Sequence, residues 1–136
     1  MMVLQVFFIA VVAIQFCSVR SLDDDMQELI NNLHNTCVGE IGVDEALITN
    51  AQKGEFADDD KLKCYSKCLL DQMAIADENG IVDPDAALAI LPSDMQSEAG
   101  PAVRKCTTMR GSTPCDTVFI MMKCWYKESP KTYFLP

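Results

Sequence analysis

From Asp23 to the end of the chain, apolar residues recur three and four positions apart, and no stretch sustains an alternation of two. That period belongs to helices that each bury one face, so the pattern predicts an all-α chain without a strand of consequence. Asp23 or Asp24 can cap a first helix with Met26, Leu29, Ile30, Leu33 and Cys37 on its apolar side, interrupted by Gly39 and Gly42. Val43–Lys53 reads as a short second helix carrying Ala46, Leu47 and Ala51, ended by Gly54. Asp58 to Asp60 open a third, with Leu62, Tyr65, Leu69 and Met73 on one side, and the Asn-Gly turn of DENG (77–80) closes it. Asp83 caps a fourth, Asp85–Leu91, which Pro84 opens and Pro92 stops. Ser93 caps a fifth that ends near Gly111, and Gly100-Pro101 should kink or break it. Thr113 and Pro114 start a sixth, carrying Cys115, Val118, Phe119, Met122 and Trp125.

The first seventeen residues do not fit this pattern. Met1 to Cys17 is apolar and uncharged, too short for a comfortable membrane span and of the right length for the core of a secretory leader. The basic residues that usually open such a leader are missing. Val19 and Ser21 are the small residues that precede a cut, so residues 1–21 are expected to be removed and 22–136 to form one secreted domain. A retained N-terminal anchor is the alternative.

Cleavage changes the cysteine count from odd to even. Cys17 leaves, and Cys37, Cys64, Cys68, Cys106, Cys115 and Cys124 remain. Six cysteines in a small exported domain read as three disulfides, and fifteen pairings are possible. A metal site would show CxxC pairs or several histidines. His34 is the one histidine of the chain, so no metal or cofactor is expected. Cys64 and Cys68 lie one helical turn apart on the same face, a poor geometry for joining each other, so each should reach a different element.

Losing Arg20 with the leader leaves ten basic against twenty acidic residues, a net charge near −10. That disfavours nucleic acid and anionic membranes as partners. A lone histidine leaves little for triad chemistry, and no GxSxG, HExxH or phosphate-cradling loop is present, so an enzyme is not expected.

The apolar faces are rich in residues that tolerate irregular neighbours. The mature chain keeps Met26, Met73, Met95, Met109, Met121 and Met122. Leu88, Leu91, Met95, Ala99, Val103, Phe119, Met122, Trp125, Tyr133, Phe134 and Leu135 are candidates to line a cavity. Plain core is the other reading of the same residues. Three staples, each worth roughly 3–4 kcal/mol, would let the fold tolerate an unfilled interior. Tyr65, Tyr133, Ser93 and the Trp125 indole could lend such a cavity polar selectivity.

Between successive cysteines lie 26, 3, 37, 8 and 8 residues. This spacing resembles the insect odorant-binding and pheromone-binding protein family in its six-cysteine form. DDDKLKCYSKCLL, ADENGIV, LPSDM and KCWYKESPKTYFLP are similar to its fly and mosquito antennal members. The resemblance implies a compact six-helix bundle around an apolar pocket, with Cys37–Cys68, Cys64–Cys115 and Cys106–Cys124 joined. It also implies a carrier of small apolar odorants, pheromones or fatty-acid-like molecules through sensillar lymph to a membrane olfactory receptor, possibly as a homodimer. A cargo of about fifteen methylene-sized groups would gain roughly 12 kcal/mol on burial. Immobilisation consumes several kcal/mol of that, leaving an affinity around micromolar. A secreted protein-binding module, or a lipophilic scavenger outside olfaction, is the alternative.

In the resembling proteins the C-terminal tail folds back as a wall or lid, its end held by a basic or histidine residue before the first cysteine and by a tyrosine after the second. Here those positions are His34 and Tyr65, with residues 129–136 as the tail and Pro136 in place of the usual aliphatic end. Acid is expected to weaken such a latch by protonating the Pro136 carboxylate.

Overall fold

The computed structural model describes residues 22–136. The leader expected at 1–21 lies outside the described residues. Helix α1 spans Leu22–Ile41. Its first turns carry a Gln27–Asn31 side-chain hydrogen bond of 3.0 Å. Met26 and Leu29, expected on its apolar face, are exposed, whereas Leu33 and Cys37 are buried. Gly39 stays helical. Gly42 alone ends the helix: it adopts φ +69° and its N–H bonds the Val38 carbonyl, the usual left-handed helix ending.

The remaining elements are α2 (Glu45–Gln52), α3 (Asp60–Gln72), α4 (Pro84–Ala89), α5 (Ser93–Cys106) and α6 (Pro114–Glu128). Short polar side chains open four of them. Asp44 accepts from Ala46 N–H, Asp59 from Leu62, Asp83 from Asp85 and Ala86, and Thr113 from Asp116, each satisfying an N–H that the helix leaves unpaired. α5 differs from expectation twice. Pro92 occupies the cap position with no side-chain bond, and Ser93 is already helical. The helix also runs through Pro101 unbroken. Gly100 has no Cβ to clash with the proline ring, and Ser97, whose carbonyl loses its partner, is exposed to water.

DENG does not close α3, which stops at Gln72, before Ala74 turns into the left-handed region at φ 57°. Residues 76–82 instead fold into a minimal antiparallel pairing, Ala76 with Val82. The Asp77 carboxylate accepts from the N–H groups of Asn79 and Ile81 across its turn.

Three disulfides join the helices: Cys37–Cys68 ties α1 to α3, Cys64–Cys115 ties α3 to α6, and Cys106–Cys124 ties α5 to α6. Cys64 and Cys68 thus reach different elements, and the pairing is the one the resemblance implies. α3 supplies the centre of the core through Leu62, Tyr65, Leu69 and Leu70, packed with Ile48, Val118, Phe119 and Met122.

Ion pairs flank two of the staples. Lys63 lies 2.7 Å from Asp58 and 3.0 Å from Asp116, beside Cys64–Cys115. Lys105 lies 2.6 Å from Glu128, beside Cys106–Cys124. Hydrogen bonds from Ser112 and Lys63 hold the Asp116 carboxyl below its ordinary range, and the Lys105 bond does the same for Glu128. Both carboxylates bind protons less readily folded than unfolded. Their contribution is therefore complete above the ordinary carboxylate range, about pH 4, and lost as pH falls through the lower folded values. Urea midpoints measured from pH 7 down to pH 2 should fall on acidification, and Asp116→Asn should flatten part of that fall.

Gly54 ends α2 with φ +89°, and a Cβ there would stand 2.3 Å from the Tyr126 ring. Gly54→Ala meets both an unfavourable backbone region and this ring, so a loss of about 2 kcal/mol or more is expected in chemical unfolding.

Candidate ligand-binding site

The buried apolar residues form two clusters rather than one. The larger is the core around α3 and α6. The smaller is Leu91, Ala99 and Val103, with Leu88 and Met95 packed against it from α4 and α5. Ala87 and Trp125 border both clusters. The candidate lining residues divide between them. Leu88, Leu91, Met95, Ala99, Val103 and Trp125 come together at the smaller cluster, whereas Phe119, Met122, Leu135 and Tyr133 belong to the larger. Phe134 joins neither: it is 41% exposed while Leu135 is 5% exposed. A tail held by alternate residues points successive side chains in and out, and Phe134 is the outward one.

Leu88 also borders an open groove of about 690 Å³ between α4 and α5. Ser93 lies in that groove, on the surface, as does Arg104, which pairs with Asp85 at 2.9 Å.

Five hydrogen bonds fasten the tail. Ser129 N–H bonds the Trp125 carbonyl as α6 ends, and Trp125 Nε1 donates to Thr132 Oγ1 at 3.0 Å. The Tyr133 hydroxyl donates to the Ala51 carbonyl at 3.1 Å, and Gln52 Nε2 to the Leu135 carbonyl at 3.2 Å. The Tyr65 hydroxyl donates to the Pro136 backbone oxygen at 2.6 Å. His34 Nδ1 lies 2.9 Å from that same hydroxyl, and His34 Nε2 lies 2.9 Å from Glu45. The three residues named for a latch are therefore contiguous. Tyr65 has one proton and directs it at Pro136, so His34 Nδ1 is the donor to Tyr65. Burial, with Glu45 adding to it, pushes the Tyr65 phenol upward, and burial does the same for Tyr133.

Several site residues carry no sequence signal. Phe56 sits in a connection without periodicity, yet its ring stands edge-on to Phe119, Tyr126 and Tyr133 at centroid distances of 5.8, 5.8 and 6.0 Å. Tyr126 also donates to the Lys53 carbonyl, and Gln52 and Glu45 read as ordinary surface residues of α2. Gln52 and Phe56 take their roles from the returning tail, about eighty residues later in the chain, Tyr126 from the end of α2, and Glu45 from His34 on α1.

No helix among the described residues is long and apolar enough to cross a membrane. Six helices linked through α1–α3, α3–α6 and α5–α6 disulfides, with a tail folded back against the core, define the architecture of the insect odorant carriers. The chain belongs to the PBP/GOBP family, which it matches over residues 20–128. It is similar to the B2 protein of Tenebrio molitor, 32% identical over 120 residues that cover 85% of this chain and 91% of that one. Among solved structures it resembles odorant binding protein 4 of Chrysopa pallens, at 29% identity and a TM-score of 0.76, covering 85% of this chain and 99% of the other. It also resembles odorant binding protein 7 of Anopheles gambiae in complex with an azo compound, at 25% identity and a TM-score of 0.72, covering 82% and 91%.

Proposed function

We propose that this chain is a carrier that binds a small apolar molecule reversibly between the two apolar clusters, without catalysing a reaction. The observation that carries the reading is the division of the buried residues into two groups meeting at Trp125 and Ala87. Both residues are only partly buried, so an apolar guest received there would touch the two groups at once. The family membership and the azo-bound relative support it. The tail, residues 129–136, serves as one wall, with Tyr133 and Leu135 turned inward and Pro136 latched by Tyr65 and His34.

His34 faces Tyr65 through Nδ1 and Glu45 through Nε2, so its ring links the latch to α2. Secretion after removal of 1–21, passage through sensillar lymph, delivery to a membrane olfactory receptor and pairing as a homodimer are parts of the same reading.

Titration with N-phenyl-1-naphthylamine tests it. The mature protein should give a saturable rise in dye fluorescence with an affinity around micromolar, reversed by apolar volatiles. A linear, unsaturable response would remove the carrier reading.

A further inference from the structure

The polar chemistry of the cargo follows from where the interior hydroxyls and N–H groups already point; this rests on the carrier reading. Tyr133 donates to the Ala51 carbonyl, Tyr65 to Pro136, and the Trp125 indole to Thr132. Thr132 and Ser129 bond each other at 2.7 Å. Ser66 donates to the Leu62 carbonyl, Thr107 to the Arg104 carbonyl, and Thr117 accepts from Gly111 N–H. The aromatic donors around the two clusters are thus committed to protein acceptors. What a donating hydroxyl keeps is its oxygen lone pairs.

Tyr133 matters most here, because its ring stands 5.8 Å from Trp125, which borders both clusters. Burial keeps its phenol neutral, so its oxygen offers acceptance without charge. We propose that the pocket takes apolar molecules bearing a hydroxyl donor, or no polar group at all, and discriminates against free carboxylates. A ligand hydroxyl can donate to the Tyr133 oxygen while Tyr133 continues to donate to Ala51. A carboxylate has only lone pairs to offer, and the Tyr65, Tyr133 and Trp125 donors are engaged; burying it unpaired is costly. The acidic chain, with a formal charge of −9, adds repulsion at longer range. Arg104, an exposed cation beside the smaller cluster, lies in the outer groove with Asp85, and Lys123 lies over the Phe119 ring.

Displacement of bound N-phenyl-1-naphthylamine by decanol, methyl decanoate and decanoate at neutral pH decides it. Decanol should displace dye at concentrations at least tenfold below decanoate, with the methyl ester between them. In Tyr133→Phe the advantage of the alcohol over the methyl ester should shrink toward equality. Decanoate competing as well as decanol overturns the selectivity while leaving the carrier reading intact, and an unchanged alcohol-to-ester ratio in Tyr133→Phe overturns the assignment to Tyr133. Failure of the dye to bind at all would instead remove the carrier reading and this inference with it.

Discussion

Replacing Cys64 and Cys115 together by alanine should lower the unfolding free energy by about 4 kcal/mol, the largest loss of any single staple. The reason is loop length. Cys64 and Cys115 are 51 residues apart, against 31 for Cys37–Cys68 and 18 for Cys106–Cys124. Closing a longer loop removes more freedom from the unfolded chain, so the shortest of the three should be worth nearer 3 kcal/mol. The side chains left behind do not change that order, because Lys63 and Asp116 still hold α3 to α6 in the double variant. Urea unfolding of the three double-alanine variants at one pH measures the series. A smaller loss from Cys64–Cys115 than from Cys106–Cys124 would show that native packing, rather than loop closure, sets the value of these bonds.

Truncation after Thr132 should weaken binding of an apolar dye by more than tenfold, or about 1.4 kcal/mol and upward. It removes Tyr133, whose ring contacts Phe56, Trp125 and Tyr126, and it removes the buried Leu135. It also leaves the Tyr65 hydroxyl, in a fully buried residue, without its acceptor at Pro136. Unmaking such a bond costs about 1–3 kcal/mol, so Tyr65→Phe should reproduce part of the loss by loosening the tail from the other side. Phe134→Ala is the contrasting variant: its side chain is largely in solvent and should change binding little. A truncated protein that binds dye as tightly as the full chain would show that the tail is not a wall of the pocket.

Most of the helices were legible because their ends are written in the residues that make them. Asp83-Pro84 and Thr113-Pro114 each pair a side-chain acceptor with a residue that needs no N–H partner, and α4 and α6 begin there. Ser93 misled because a good capping residue was displaced by Pro92, whose extended backbone already turns the chain into α5. Gly100-Pro101 misled because the rule for proline assumes that the preceding residue carries a Cβ. The disulfide pairing followed from cysteine spacing through resemblance, whereas spacing alone excluded only a Cys64–Cys68 bond. The proximity of His34, Tyr65 and Pro136 was anticipated through the family resemblance, which places the first two relative to the first and second cysteines. Phe56, Gln52 and Tyr126 were not, because each acquires its role from a partner distant in sequence, and no periodicity records that.

The covalent links run in a line, α1 to α3 to α6 to α5. Among the six described helices, α2 and α4 carry no cysteine. These two are the hinged panels of an otherwise riveted frame. α2 is fastened by the tyrosine and glutamine contacts of the tail, and α4 by its exposed Arg104–Asp85 pair and the apolar packing of Ala87 and Leu88. Displacing either breaks no covalent bond, but Ile48 and Ala51 bury α2 in the core whereas α4 has no buried residue, so α4 is the more lightly held panel.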